Sequence, residues 1–251
     1  MSFDVPAQVY GRFMGRFSEP LAPLFADFAD LGVGQRALDV GCGPGALTSV
    51  LVERLGPGAV TGIDPSAPFV AAARDRFPGT TVEQGSAEAL PFVSGTFDRT
   101  LAQLVVHFMA DPVAGLREMG RVTRDGGVVA ACVWDHSGET GPLSLFWRAA
   151  RDVDPLVRDE SHLPGTREGE LVELSEAAGL RDVVSDRLSV VVGFDVFDDW
   201  WEPYTFGVGP AGEYVRGLDD AHREALRARC VELLPPPFEI RAAAWSVKAR
   251  P

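Results

Sequence analysis

Strand-like and helix-like segments alternate along the first 134 residues of the chain. Five segments read as strands, at 37–40, 59–63, 80–83, 98–104 and 128–134. Between them, apolar residues at helical spacing predict helices at 46–55, 68–77 and 112–121. Because strands and helices take turns, we expect an α/β domain.

Prolines interrupt the helical pattern that precedes the first predicted strand. Residues 6–31 begin after Pro6 and contain Pro20 and Pro23, each of which removes a backbone donor and disfavours a helical residue before it. We therefore expect two short helices joined by a turn. They would form a helical cap at 1–35 that could close over a site.

A glycine-rich loop follows the first strand and leads directly into a helix. Gly41, Gly43 and Gly45 allow a sharp turn and a close approach of main chain to a ligand, and a helical pattern starts at Ala46. Together these features predict a nucleotide-type binding site. Gly41, Gly43 and Ala46 also fit the dinucleotide fingerprint, so a nicotinamide cofactor is one of two interpretations.

Two acidic residues bear on the choice between these interpretations. Asp39 lies just before the first glycine, where a carboxylate would repel a pyrophosphate but could hold a ligand ammonium. Asp64 ends the second apolar strand, where an acid can accept both ribose hydroxyls of either ligand. Asp39 therefore favours a ligand that carries positive charge.

Residues 38–45 (LDVGCGPG) and 62–66 (GIDPS) resemble segments of the class I S-adenosylmethionine-dependent methyltransferases. The most similar group is the type 11, ubiquinone/menaquinone-methyltransferase-like branch. The resemblance implies a doubly wound, Rossmann-like sheet of seven strands, mostly parallel with an antiparallel final strand, in a single domain spanning 1–251. It also implies S-adenosylmethionine as cofactor, S-adenosylhomocysteine as product, and a small-molecule acceptor methylated on O, N or C.

The resemblance also assigns cofactor contacts. The glycine loop and Asp39 would face the methionine end, Asp64 the ribose, and the loop at 86–88 the adenine. Many relatives have aspartate in place of Ser86, so the serine keeps a hydrogen-bond acceptor but lacks the charge. The residues implied to bind the cofactor are Tyr10, Arg16, Asp39, Gly41, Cys42, Gly43, Gly45, Asp64, Pro65, Ser66, Ser86, Ala87, Glu88, Gln103 and Leu104.

The stretch at 10–18 resembles an aromatic and basic segment that approaches the cofactor in many type 11 members. On that resemblance, Arg16 would face the methionine carboxylate. In the alternative interpretation, the aromatic residues of the stretch only pack the helix onto the core.

His107 lies just beyond the fourth predicted strand, at an end that faces the ligand crevice of an open α/β sheet. An imidazole can take a proton near neutral pH, so His107 is a candidate catalytic base. The alternative is a hydrogen-bonded packing histidine. Because an activated methyl group needs mainly an aligned acceptor and the exclusion of water, a base is not required.

The second half of the chain carries no further family motif. Its patterns predict helices at 145–153, 170–178 and 219–234 and strands at 182–192 and 242–247. Segments at about 138–165 and 194–235 are expected to be helical lid insertions. The aromatic residues at 200–206 either line an apolar acceptor pocket or bind the second insertion to the core.

Composition narrows the range of partners. The net charge is −13 and the sequence lacks the clustered Lys and Arg that phosphate binding needs, which argues against nucleic acid. The apolar run at 128–134 is too short to cross a membrane, so we expect no membrane insertion and a cytoplasmic location. The three cysteines lack the spacing of a metal site or a disulfide framework, and no metal is expected. A homodimer is compatible with the sequence.

Two other functions stay open. An NAD(P)-dependent oxidoreductase would use the same fold and loop, although the chain contains no Tyr-x-x-x-Lys pair. A non-catalytic protein could keep the cofactor site and use the lid to bind a partner.

Overall fold

The computed structural model describes residues 10–251. Within this range seven strands form one sheet in the order β3-β2-β1-β4-β5-β7-β6. The strands are β1 Ala37–Val40, β2 Val60–Asp64, β3 Thr81–Gln84, β4 Phe97–Gln103, β5 Thr123–Trp134, β6 Arg181–Phe194 and β7 Phe238–Arg250. Strands β1 to β5 pair in parallel, and β7 lies antiparallel to both β5 and β6. The predicted seven-stranded sheet is confirmed.

Helices cover the sheet on both faces, as in a doubly wound fold. The α-helices are α1 Arg16–Phe28, α2 Ala46–Leu55, α3 Ala67–Arg76, α4 Pro112–Val122, α5 Ser144–Val153, α6 Glu170–Ala177, α7 Phe197–Trp201, α8 Gly209–Gly217 and α9 Asp220–Leu233. A π-helical turn, Gly11–Gly15, precedes α1, and the 3₁₀ turns are Pro57–Ala59, Val106–Phe108, Glu160–His162 and Glu202–Phe206. Among these helices, none is both long and apolar enough to cross a lipid bilayer.

The core lies in two main layers because side chains alternate across each strand. In β5, Val128, Ala130 and Cys132 belong to one buried cluster, while Val129 and Ala131 belong to the other. Helices α1, α2, α5 and α9 pack against the first cluster, and α4 and α6 pack against the second. This packing fixes the ends of the central strands, where the site lies.

The prolines do not break the first helix, so that prediction is wrong. Pro20 and Pro23 both lie inside α1, which continues to Phe28. Helix α1 buries one apolar stripe against the sheet, including Leu21 and Phe25, which are fully buried. Burial of that stripe outweighs the helix-breaking tendency of the two prolines. The predicted start after Pro6 lies outside the described residues.

Residues 124–127, which precede the predicted strand at 128–134 and whose two glycines are typical of a turn, are part of β5. Phe97 pairs with Thr123 and Arg99 with Val128, so the intervening residues form a bulge in the strand. Gly126 has a φ of +74° there, which is why the sequence reads as a turn.

Candidate functional site

A cavity of about 790 Å³ opens at the carboxyl ends of β1, β2 and β4. The sheet order changes direction between β1 and β4, and open α/β sheets bind ligands at such a point. The wall comprises Tyr10, Gly41, Gly43, residues 64–69, 85–88, 103–105 and 107–110, Leu163 and Pro164. Most of the residues singled out in the sequence therefore meet in one place.

The glycine loop at the end of β1 is held by main-chain hydrogen bonds. The amides of Gly41 and Cys42 donate to the Ile63 carbonyl over 2.8 and 3.1 Å. Gly41, Gly43 and Gly45 have φ values of +69°, +53° and +96°, which L side chains rarely adopt. A Cβ on Gly43 would meet no atom within 4 Å, so this glycine presents bare main chain to the cavity.

Gly45 and Cys42 support the loop and do not line the cavity. A Cβ on Gly45 would lie 2.2 Å from the Phe77 ring, so only glycine fits between the loop and that ring. The Cys42 side chain is buried against Gly62, and burial raises the pKa of its thiol. Both residues shape the loop from behind.

Asp64 places its carboxylate at the cavity wall. Oδ2 accepts from the amide of Gly43 and Oδ1 from the amide of Ser66, both over 2.8 Å. Burial raises the pKa of Asp64, and the two backbone hydrogen bonds oppose that shift. Each oxygen keeps a further lone pair, so the carboxylate can accept two hydroxyl groups of a ligand.

Asp39 does not line the cavity. It is 1% exposed, and its Oδ2 accepts a hydrogen bond from Thr48 Oγ1 over 2.6 Å. Burial raises the pKa of Asp39 to about 7; the Thr48 hydrogen bond opposes this shift and the charge of Asp64 adds to it. Asp39 can therefore act on the cavity only through its charge, when it is ionised.

The loop at 85–88 forms the opposite rim of the cavity. Glu88 Oε1 accepts from the amides of Ala110 and Asp111, over 2.8 and 3.4 Å, and Oε2 accepts from Ser86 Oγ. Burial favours a higher pKa for Glu88, but these hydrogen bonds outweigh it and lower the pKa. Glu88 therefore stays ionised and fixes the rim, with Ala87 beside it.

Gln103 and Leu104 form the floor where β4 ends. Gln103 Nε2 donates to the Ser18 carbonyl over 3.0 Å, which leaves the buried Oε1 without a partner in the described residues. That oxygen can accept a hydrogen bond from a ligand. Leu104 has a φ of +64°, a costly conformation for a branched residue and one that is typical of functional sites.

Tyr10 lies in the cavity wall, whereas Arg16 does not. The Tyr10 ring packs edge-on against Phe69, 5.3 Å between centroids, and burial followed by the charge of Asp64 raises its pKa to about 12. The guanidinium of Arg16 lies over the Phe194 ring, 5.4 Å from the centroid. The expected approach of Arg16 to the ligand is therefore not seen.

A small side chamber adjoins the large cavity on the side of β5. It has a volume of about 40 Å³ and shares Tyr10, Leu104, His107 and Phe108 with the large cavity. The rest of its wall is Phe13, Met14, Trp134, His136, Leu143, Glu160 and residues 208–211. We call this space the side chamber.

Glu160 is a buried acid that the sequence did not single out. It is 4% exposed, and its Oε2 accepts from Trp147 Nε1 over 2.9 Å. Burial raises the pKa of Glu160 to about 7, against the effect of the Trp147 hydrogen bond. No periodicity or motif marks the segment around it. By contrast, Trp134 ends β5, and its position at a carboxyl strand end could have identified it.

His107 lies between the two cavities and is 5% exposed. Burial, with a smaller contribution from His136, lowers the pKa of His107 well below its ordinary value. Its ring is therefore uncharged at neutral pH. Its Nδ1 has no hydrogen-bond partner among the described residues.

The aromatic residues at 200–206 pack the insertion onto the core. Trp200, Trp201 and Tyr204 are at most 5% exposed, and Tyr204 stacks on Phe146 with centroids 4.4 Å apart. Neither the large cavity nor the side chamber includes them in its wall. Of the two interpretations, packing is the one that the structure supports.

Charge is the common property of both walls. The large cavity carries the carboxylates of Asp64 and Glu88, and the side chamber carries Glu160. Among the described residues, neither wall includes Arg or Lys, and residues 1–9 contain neither type in their sequence. The walls therefore favour ligand groups that are positive or neutral.

The chain matches known proteins across this region. Residues 38–131, which carry the glycine loop, Asp64 and the floor, match the family model described as a methyltransferase domain. Trans-aconitate 2-methyltransferase of Rhizobium etli is 32% identical over 174 residues, which cover 66% of this chain and 67% of that protein. The chain belongs to the type 11 methyltransferase family. The resemblance recognised in the sequence is thereby confirmed.

Two further proteins show how far the similarity extends. The 2-methyl-6-phytyl-1,4-hydroquinone methyltransferase 2 of Oryza sativa subsp. japonica is 35% identical over 156 residues, 61% of this chain but only 41% of that methyltransferase. The structure of geranyl diphosphate methyltransferase in complex with SAM has a TM-score of 0.54 at 16% identity, covering 94% of this chain and 87% of that one. That likeness shows a shared fold.

Proposed function

We propose that this methyltransferase-family protein transfers a methyl group from S-adenosylmethionine to a small-molecule acceptor and releases S-adenosylhomocysteine. The observation that carries the proposal is the large cavity at the switch point of the sheet, which has two carboxylates and no cationic side chain among its described wall residues. The cofactor carries a sulfonium and an ammonium, which such a wall attracts. The pyrophosphate of a nicotinamide cofactor would meet the same carboxylates without a compensating cation.

The residues present fit this cofactor. Asp64 would accept the ribose hydroxyls, the loop at 86–88 would border the adenine, and the bare main chain at Gly43 would approach the methionine end. The unpartnered Gln103 Oε1 would accept from the ammonium. Because Arg16 points to Phe194, amides would have to receive the carboxylate in its place.

When bound, the cofactor supplies an electrophilic methyl group. The chain's own task is then to hold an acceptor in line and to exclude water. His107 lies between the two cavities and is uncharged at neutral pH, so it would accept a hydrogen bond from the acceptor and orient it. With its pKa lowered, it is a weaker base than the sequence suggests.

Calorimetric titration with S-adenosylmethionine, S-adenosylhomocysteine, NADH and NADPH tests the proposal. We expect micromolar binding of the two sulfur compounds alone, weakened at least about tenfold in Asp64→Asn. Asp75→Asn, an exposed residue of α3 outside the cavity wall, is the matched control and should bind like the unaltered protein. Binding of nicotinamide cofactors alone, or of none of the four, would contradict the proposal.

Turnover separates catalysis from simple binding. A methyltransferase should produce S-adenosylhomocysteine from S-adenosylmethionine when a suitable acceptor is added, whereas a non-catalytic binder should not. The single-domain organisation, the possibility of a homodimer and the cytoplasmic location stay predictions from the sequence.

A further inference from the structure

The two cavities differ in size in a way that bears on the acceptor. The large cavity has about 790 Å³, within the range of small-molecule sites, while the side chamber has about 40 Å³. A volume of that order holds one water molecule or one small polar group. The body of an acceptor therefore belongs in the large cavity beside the cofactor, and only a head group can enter the side chamber.

We propose, resting on the methyl transfer proposed above, that the acceptor is an uncharged hydroxyl compound with an apolar body. Its hydroxyl group enters the side chamber and donates a hydrogen bond to Glu160, and Glu160 thereby determines specificity. Three observations on the described residues carry this assignment.

The first observation is that no cation among the described residues forms an ion pair with Glu160. Trp147 of α5 provides the hydrogen bond to Oε2, and the nearby Arg151 of the same helix pairs with Asp159 and Glu139 instead. His136 faces the chamber from the end of β5, and burial lowers its pKa to about 4, so it is neutral. The negative charge of Asp159 also raises the pKa of Glu160. Tyr204, which lies near Glu160 and Cys230, has a raised pKa and is uncharged. Glu160 is thus available to accept a hydrogen bond from a ligand.

The second observation is an unpartnered donor in the same small space. Trp134 is 2% exposed, lines the side chamber, and has no hydrogen-bond partner at Nε1 among the described residues. An indole N–H can only donate. A hydroxyl group can donate to Glu160 and accept from Trp134 at once, whereas an ammonium can only donate. Because the chamber is so small, one head group can reach both residues.

The third observation is the cost of an anion. A carboxylate or phosphate acceptor would lose its water beside Asp64, Glu88 and Glu160, with no Arg or Lys in the described walls to replace it. An unpaired buried charge of this kind is strongly unfavourable. With the loop amides taken by the carboxylate of the cofactor, an acceptor that carries such a group is strongly disfavoured.

Three probes with the same apolar body test the assignment: 4-propylphenol, 4-propylbenzoate and 4-propylbenzylamine. Each is titrated into protein saturated with S-adenosylhomocysteine at about pH 8, where Glu160 is ionised, only the second probe is an anion and only the third is a cation. We expect the phenol to bind at least about tenfold more tightly than the other two. Tighter binding of the benzoate or of the amine, or binding of none of the three, would overturn the inference.

Glu160→Gln is designed to reverse the preference. A glutamine whose oxygen accepts from Trp147 presents an amide donor to the chamber, so the phenol loses its acceptor and the benzoate gains a donor. We expect the ratio of the two affinities to fall about tenfold or more. Glu176→Gln, on the exposed side of α6, should leave the ratio unchanged. Equal weakening of both probes in Glu160→Gln would indicate a structural role only.

Trp134→Phe provides a second route if Glu160→Gln does not fold. It should weaken the phenol severalfold and leave the benzoate as weak as before; an unchanged phenol affinity would contradict the inference. Binding of S-adenosylhomocysteine is measured first in every variant. If the unaltered protein does not bind S-adenosylhomocysteine, the proposed function is refuted. If it does bind, but the ratio of the phenol and benzoate affinities is unchanged in the variants, only this inference is refuted.

Discussion

The wall of the large cavity includes bare main chain at the glycine loop, whereas the polar groups of the side chamber belong to side chains. Gly43 presents bare backbone, and amides hold Asp64 and Glu88 in place. The side chamber depends on Glu160 and Trp134, which come from separate parts of the chain. A site made by backbone tolerates few changes at its glycines, while a side-chain site can change its ligand by single substitutions. The two cavities should therefore respond differently to mutation.

The largest effect is expected at the glycine loop. Gly45 and Gly169 each lie just before a helix and each have a left-handed φ value. Only Gly45 lacks space for a side chain, because a Cβ there would lie 2.2 Å from the Phe77 ring. Gly45→Ala combines backbone strain with overpacking and should lower the free energy of unfolding by about 3 kcal/mol. Gly169→Ala should cost about 1 kcal/mol, from strain alone. Urea unfolding measures both, and equal losses would show that the Phe77 contact does not matter.

The side chamber should show the next largest effect, as a dependence of stability on pH. Burial raises the pKa of Glu160 from 4.5 to about 7, so the folded chain holds a proton between these values that the unfolded chain has lost. The stability associated with the protonated form of Glu160 is fully present below about pH 4.5 and is lost as the pH rises through 7. The free energy of unfolding of Glu160→Gln, relative to that of the unaltered protein, should therefore rise by about 2 kcal/mol between pH 5 and pH 8, as measured by urea unfolding. A constant difference across that interval would contradict the burial argument.

A smaller effect separates ligand contact from folding in the glycine loop. Gly43→Ala and Gly179→Ala both place a Cβ at a left-handed φ with no atom within 4 Å. Their losses of stability should be alike, at about 1 kcal/mol. Only the Cβ at position 43 points into the cavity region, so only this variant should bind S-adenosylmethionine about tenfold more weakly, as measured by calorimetry. If both variants bound equally well, Gly43 would not approach the cofactor.

The smallest effect is a pH dependence of cofactor binding. Burial raises the pKa of Asp39 to about 7, and a cationic cofactor nearby favours its ionised form. Affinity should therefore rise about threefold between pH 6 and pH 8 as Asp39 loses its proton. Asp39→Asn should flatten this profile, while Asp75→Asn should preserve it. If Asp39→Asn had the same pH profile as the unaltered protein, Asp39 would not be the group that causes the pH dependence.

The central sheet and the large cavity could be predicted well because their signals are local. Gly41, Gly43 and Gly45 all adopt left-handed φ values, which the glycine pattern requires. Asp64 and Gln103 end parallel strands, and such ends meet at one edge of the sheet. The position of each residue follows from the few residues around it.

The remaining features depend on distant residues. The course of α1 through Pro20 and Pro23 is decided by the core on which it packs, and Arg16 is drawn to Phe194 in β6. Glu160 is buried by Trp147 and the end of β5, and nothing in its own segment marks it as buried. Local patterns contain no information on such contacts, so the side chamber could not be predicted.

The segment at 160–164 belongs to both cavities, because Glu160 lines the side chamber while Leu163 and Pro164 line the large cavity. Because this stretch of chain is so short, its two ends cannot move far relative to each other. A movement that releases a ligand from one space changes the enclosure of the other. In kinetic terms, the two products of the proposed reaction would then leave in linked steps.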